Sequence, residues 1–176
     1  MTEKTKNIIN NQINEELYSA YLYLAMAAKL DKMGFKGAAN WMKVQVREEN
    51  DHALGLFYFL LERGEEPKLT SIAEPNIENM NNIFEIFSAS LIHEKHITGL
   101  IHNIYELARV EKDYSLESFI KWYIDEQVEE EANVTEIIDK LKIIGDNGSA
   151  IYMIDQELKA RIYTPSAPYA VNKTVV

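Results

Sequence analysis

Six polar residues sit at matched spacing in the two halves of this chain, and that doubled pattern restricts the fold more than anything else in it. The first set is Glu16, Glu49 and His52; the second is Glu94, Gln127 and Glu130. Within each set the first two residues lie 33 positions apart and the last two lie three apart, and an offset of 78 maps one set onto the other. A separation of three places two side chains on one face of a helix, one turn apart. Each half therefore reads as a helical hairpin that carries one polar residue on the outgoing helix and a pair on the returning one. Two such hairpins packed together converge four carboxylates, one imidazole and one amide on a single level, an arrangement suited to a pair of metal ions.

The apolar pattern agrees. With the six polar residues counted in their places, steps of three and four run through Ile9, Ile13, Glu16, Ala20, Tyr23, Ala27 and Leu30, and through Met42, Gln45, Glu49, His52, Leu56 and Phe59. The second half repeats this with Ile83, Phe87, Ser90, Ile97, Ile101 and Ile104, then Leu116, Ile120, Tyr123, Val134, Ile137 and Leu141. Such stepping is the seam of a near-parallel bundle. Prolines occur only at 67, 75, 165 and 168, which leaves long stretches free to be helical. The expected helices span about 5–33, 38–63, 82–112 and 115–144, with a short fifth at 150–162 and an irregular tail over 163–176. Gly34 and Gly37 are expected to bracket the first turn, Gly64 and Gly145 to stop the second and fourth helices, and Ser115 to cap the fourth.

The first-to-second and third-to-fourth connections are only a few residues long, so those pairs are antiparallel. The middle connection, Glu65 to Asn81, has seventeen residues and reaches ~55 Å when extended. It can run the length of the bundle and leave the second and third helices parallel. The expected fold is all-α: a four-helix bundle with a long crossover between helices 2 and 3 and a short C-terminal fifth helix, in a single domain over 1–162. The stripe Ile151, Ile154, Leu158 and Ile162 on that fifth helix is left over once the four-helix seam is complete, which assigns it to contact with a neighbouring subunit.

A lone glutamate beside an apolar stripe ordinarily reaches solvent, and a lone core histidine is ordinarily a hydrogen-bonded part of the structure. Six such residues at one depth on four helices are not independent accidents. Each buried unpaired carboxylate costs several kcal/mol, and four exceed the ~5–15 kcal/mol stability of a typical domain unless something neutralises them. Divalent cations do so; protonated carboxyls sharing hydrogen bonds are the alternative. Carboxylates with one nitrogen suit iron or manganese, and the chain has no cysteine for a thiolate site. Glu49 is placed to bridge two metals, Glu16 and His52 to complete the first, and Glu94 with Glu130 to form the second. Gln127, a neutral amide and a poor ligand, makes that second metal the looser one.

Glu48, Glu126 and Glu129 flank these residues and, with Glu130, form a candidate third cation site; a solvated acidic face is the plainer account of the same residues. Tyr23, two turns beyond Glu16, is either a core tyrosine or a residue that orients a ligand or donates an electron, and Trp122 is a weaker case of the same kind. His93, His96 and His102 read as surface or structural. A net charge of −10 argues against a nucleic-acid partner and favours cations. Apolar runs are too short to span a membrane. The polar N-terminus lacks a signal core, so a cytoplasmic protein is expected.

The segments Glu-Leu-Tyr-Ser (16–19), Glu-Glu-x-x-His (48–52), His-Glu (93–94) and Trp-Tyr-x-x-Glu-Gln-x-Glu-Glu-Glu (122–131) resemble the non-haem bacterial ferritins in order and spacing, over about residues 5–162. The resemblance implies a ferroxidase centre that oxidises Fe(II) with O2 or H2O2, a ferric mineral, and a 24-subunit homo-oligomeric shell. It also likens Glu48, Glu126 and Glu129 to a third iron site. Bacterioferritins carry a second Glu-x-x-His pair and a haem-ligating methionine just after the second-helix Glu. Here Gln127 and Glu130 replace that pair and Asn50 and Asp51 follow Glu49, so no haem is expected. A stand-alone di-iron oxygenase or peroxidase, with a substrate pocket beside the small residues Ala20 and Ser90, and a helical binding protein whose polar core only fixes register, are the other functional classes.

Overall fold

The structure, a computed structural model, describes residues 1–169. Its elements are α1 (Glu3–Met33), α2 (Lys36–Glu62), α3 (Ile83–Glu111), α4 (Tyr114–Ile144) and α5 (Gly148–Leu158). Each of the four long helices has an identifiable start. Thr2 caps α1 by accepting from Thr5 N at 3.2 Å. Asn82 caps α3 by accepting from Glu85 N at 2.8 Å, and the Glu85 carboxylate accepts from Asn81 N in return; such reciprocal bonds satisfy amides that the helix leaves free. Asp113, not Ser115, caps α4, because its carboxylate accepts from Leu116 N while taking both nitrogens of Arg63 at 3.0 Å. One side chain thus fixes the start of α4 and ties it to the end of α2.

The start of α2 is built differently. Phe35 gives no side-chain cap, and the free amide of Ala38 is taken by Asp155 of α5 at 2.9 Å. Gly34 ends α1 in the left-handed region at φ 96°, as a turn glycine should. Gly37 does not bracket that turn. It lies inside α2, where a Cβ would stand 1.6 Å from the Asp155 carbonyl oxygen. The glycine is there to let α5 approach. Gly37→Ala is therefore predicted to lift α5 from the bundle at a cost of about 1–3 kcal/mol. Thermal unfolding and amide exchange across 148–158 check this, and an unchanged midpoint with unchanged protection would contradict it.

This contact corrects the expectation for the fifth helix. It ends at Leu158 rather than Ile162, and Ile154 and Leu158 are buried in the core of their own subunit with Ile151 packed against them. The stripe is not spare, because it closes the end of the bundle over Trp41, Ile137 and Leu141. What α5 leaves outward is Tyr152 and Met153, with Ile162 exposed beyond it.

The crossover lies along α1. Lys68 N donates to Asn10 Oδ1, Asn14 Nδ2 to Ser71 O, and Lys29 Nζ to Ile77 O. Contacts that advance in the same direction on both segments carry the chain from one end of the bundle to the other, and α3 then runs parallel to α2. The interior divides into two apolar clusters. One holds Tyr23, Met26, Leu30, Met42, Phe87, Val134 and Ile138. The other holds Ile9, Ile13, Leu56, Leu60, Ile101, Ile104 and Ile120. Each such side chain contributes roughly 1.5–3 kcal/mol on burial, so both ends are held firmly and the polar belt between them is kept in place by its flanks.

Candidate metal centre

Between these clusters the four long helices present Glu16, Glu49, His52, Glu94, Gln127 and Glu130, all at most 4 % exposed. Two groups of three ligand atoms gather here among the described residues, each within 4.8 Å of one another. The first is Glu16, Glu49 and His52; the second is His52, Glu126 and Glu130. His52 belongs to both. Its Nδ1 stands 3.5 Å from Glu49 Oε2, and its Nε2 stands 3.9 Å from Glu126 Oε1. Tyr123 Oη donates to the His52 carbonyl oxygen at 2.8 Å, and the Trp122 ring meets the imidazole edge-on at 5.5 Å. Trp122 thus lies against a candidate ligand.

Hydrogen bonds hold the remaining carboxylates. Tyr23 Oη donates to Glu94 Oε1. Gln127 Nε2 donates to the other Glu94 oxygen at 3.1 Å and to the Glu94 carbonyl at 3.2 Å. Two further amides do the same work and carried no role in the sequence: Gln12 Nε2 donates to Glu16 Oε1, and Gln45 Nε2 donates to Glu130 Oε2, each at 2.9 Å. Both are buried and stand four residues before a belt glutamate on the same helix. That spacing was the available signal, but an amide in a stripe looks like an edge position until its burial is known.

Three buried polar atoms have no hydrogen-bond partner: Glu16 Oε2, Gln45 Oε1 and His52 Nε2. Two of the three belong to the cluster residues, and orphaned acceptors at such depth cost free energy unless something binds them. The donor set of carboxylate oxygens and imidazole nitrogen, with lone pairs left over, fits hard to borderline divalent cations.

The electrostatics point the same way. Burial is the main cause that pushes the Glu49 carboxyl well above its ordinary range, followed by the charges of Glu94 and Glu16. Glu130 is likewise well above, through burial and then Glu94 and Glu49. Glu16 and Glu94 are raised by burial, against the pull of the hydrogen bonds they accept. Carboxyls that repel one another in a dry interior gain from shared protons or shared cations.

Glu48 and Glu129 fall outside both three-atom groups. Glu48 is half-buried and paired with Arg161, whose Nη2 lies 2.6 Å from Glu48 Oε2, while Glu129 is exposed. His93 is structural: its Nε2 lies 2.7 Å from Ser19 Oγ, Tyr18 and Tyr23 pack against its ring, and burial pushes its pKa down to about 4. His96 and His102 are exposed.

A bundle of four long helices with a buried belt of carboxylates defines the class of metal-binding carboxylate bundles. Comparison with known proteins narrows this. Residues 6–144 match the family model described as a ferritin-like domain. A bacterial non-heme ferritin of Staphylococcus epidermidis is 40% identical over 155 residues, covering 88% of this chain and 93% of that protein. One from Staphylococcus aureus is 37% identical over 162 residues, covering 90% and 97%. Among solved structures, the open-pore ferritin of the hyperthermophilic archaeon Archaeoglobus fulgidus superposes with a TM-score of 0.90 at 43% identity over 92% of this chain and 99% of its own. A form of that ferritin engineered to be closed gives 0.91 at 43% identity over 93% and 99%. The chain belongs to the ferritin-like family.

Proposed function

We propose that this chain is the subunit of an iron-storage ferritin, which oxidises Fe(II) at a dinuclear ferroxidase centre and deposits Fe(III) as mineral inside a shell of twenty-four copies. The observation that carries the reading is the buried Glu16–Glu49–His52 cluster with its unpartnered atoms, in a chain whose relatives are non-heme ferritins.

Fe(II) is the substrate. The first ion is held by Glu16, Glu49 and His52 Nδ1, and the second by Glu94 and Glu130, with Glu49 shared between them. Carboxyls raised by burial give up protons as cations enter, so uptake releases protons and strengthens as pH rises. Two Fe(II) each lose one electron. Dioxygen takes both electrons and two protons to leave as hydrogen peroxide, or peroxide takes two electrons and two protons to leave as water. Tyr23 holds Glu94 in place through its hydroxyl, and Gln12 and Gln45 hold Glu16 and Glu130. Gln127 donates to Glu94 rather than bringing a charge of its own, which leaves the second ion the looser and free to move on as Fe(III).

Gln127→Glu is predicted to tighten the second ion by about tenfold or more, the scale of one added charge-assisted contact, and to slow turnover. Anaerobic Fe(II) calorimetry on the metal-stripped shell measures both affinities. Two equally tight sites in the parent would contradict the loose second ion, and the absence of tight sites would sink the ferroxidase reading. An oxygenase acting on an organic substrate is not favoured. Ser90 is buried against Met26 Sδ at 3.6 Å, and Ala20 borders a groove on the outer face of α1 and α2 with Tyr21, Leu24 and Ile72.

A further inference from the structure

Residues 159–169, beyond α5, stay on the bundle. They turn back along α2, touching that helix at steps that keep to one face. Arg161 lies on Trp41 and Glu48, Tyr163 Oη donates to Asp51, and the Pro168 carbonyl comes against Gly55. On the α4 side, Ser166 hydrogen-bonds to Glu126, and Ala167 is buried. The segment therefore crosses the acidic cluster formed by Glu48, Glu126 and Glu129. Among its described residues, Arg161 brings a positive charge to that cluster.

That side chain is well held. The Arg161 guanidinium carbon lies 4.3 Å from the centre of the Trp41 ring, and Nη1 donates to the Trp41 carbonyl at 3.5 Å. The backbone beside it is fixed as well, since Asn40 Nδ2 donates to the carbonyls of Lys159 and Arg161. Nη2 then reaches Glu48 Oε2 at 2.6 Å, with both side chains at most 20% exposed. A guanidinium is charged at every working pH and presents a rigid fork of donors. Tethered and stacked, it meets Glu48 without the entropic cost that a free ion pays.

We propose that Arg161 is the resident counter-cation of this cluster, competing with a third divalent metal ion for Glu48. The proposal rests on the reading of Glu126 and Glu130 as cation ligands. A second observation points to a cation there: His52 Nε2 is buried, without a partner, and directed at Glu126. His52, Glu126 and Glu130 already gather three ligand atoms; with Nδ1 on the first ion, Nε2 joins a further metal only as the imidazolate, so the third ion draws chiefly on Glu126 and Glu130. Glu48 is the neighbouring carboxylate that would complete an oxygen-rich sphere, and it is the one Arg161 holds. A divalent ion gains Glu48 only by displacing the guanidinium. The third cation is consequently weaker than the inner two, and its affinity is set by a residue outside the four-helix bundle.

The test uses the assembled, metal-stripped protein and Mn(II), which binds oxygen and imidazole ligands without being oxidised under anaerobic conditions. Free Mn(II) is followed by electron paramagnetic resonance through titrations of the parent, Arg161→Gln, Arg161→Lys and the double variant Arg161→Gln/Glu48→Gln. Arg161→Gln is expected to tighten the third ion about tenfold, the loss of one competing charge-assisted contact, while the first two ions bind as in the parent. Arg161→Lys keeps the charge but loses the fork and falls between. The double variant loses the gain, because Glu48 is the contested ligand. An unchanged third affinity in Arg161→Gln overturns the proposal, as does a gain that survives removal of Glu48. If Arg161→Gln does not assemble, Arg161→Lys decides by the same comparison. Absence of the two tight ions from every variant would instead overturn the dinuclear reading, an outcome separate from the third-ion comparison.

Discussion

Glu49→Ala is expected to slow the fast phase of Fe(II) oxidation by at least about 100-fold, the upper end of what loss of a mere supporting contact does to a metal site. In the proposed dinuclear centre Glu49 is the ligand shared by both ions, and it stands next to His52, with Nδ1 at 3.5 Å. Its loss removes a ligand from both ions at once, where loss of Glu16 or Glu130 would remove one. The fold should survive. Position 49 is in the middle of α2, where alanine is the best helix former. The carboxyl removed is one that burial and the charges of Glu94 and Glu16 hold well above its ordinary range, so the metal-free bundle loses a source of repulsion rather than a support. Stopped-flow absorbance after mixing with aerobic Fe(II) measures the rate, and far-ultraviolet circular dichroism checks the helices. A near-parental rate would remove Glu49 from its bridging role.

Much of this arrangement was legible in the sequence because helices make it so. A step of three on one helix and a step of 33 across a hairpin are geometric statements, and the structure gathers Glu16, Glu49 and His52 at the depth they require. The long crossover was readable from its length and its prolines. What failed to show depends on contacts between segments remote in sequence. Gly37 looked like a turn residue because its neighbour 118 positions away, Asp155, cannot be seen from the local sequence. Ser115 looked like the cap because nothing local reveals that Arg63 holds Asp113 in the capping position. The fifth-helix stripe reads as spare because a seam counted on four helices does not reveal an open end. The return of residues 161–169 over α2 had no periodic signal at all; of the tail assigned as irregular, 170–176 lie outside the described residues. Gln12 and Gln45 were hidden by ambiguity, since an amide in a stripe reads equally as edge or interior.

The belt also dictates how the metal-free protein responds to pH, and the direction is opposite to that of most folded proteins. Glu16, Glu49, Glu94 and Glu130 are all raised above the ordinary value of 4.5, with burial the first cause in each. A carboxyl with a raised folded-state pKa binds its proton more tightly in the folded chain than in the unfolded one. Above about pH 4.5 the unfolded chain ionises freely while the folded chain keeps its protons or pays to lose them. Stability therefore falls as pH climbs from 4.5 through the raised values. Glu3, Asp31, Glu111 and Asp113 are lowered by their partners, so their contribution is lost only as pH drops below the ordinary range. His93, pushed down to about 4 by burial, adds stability as pH rises to its ordinary value of 6.5, so the interval from about pH 6.5 to 8 belongs to the buried carboxyl set. The thermal midpoint of the metal-stripped protein, at one scan rate and subunit concentration, is predicted to decline across that interval. Glu49→Gln/Glu130→Gln should flatten the decline, because it removes the two carboxyls raised furthest without opening a cavity. A divalent cation at a hundredfold excess over its dissociation constant should restore about 2.7 kcal/mol per occupied site, and more at pH 8 than at pH 5, because fewer protons must be displaced. A midpoint that rises steadily from pH 6.5 to 8 in the metal-free protein would mean that the belt carboxylates are already satisfied by the fold, and that nothing in the core calls for a cation.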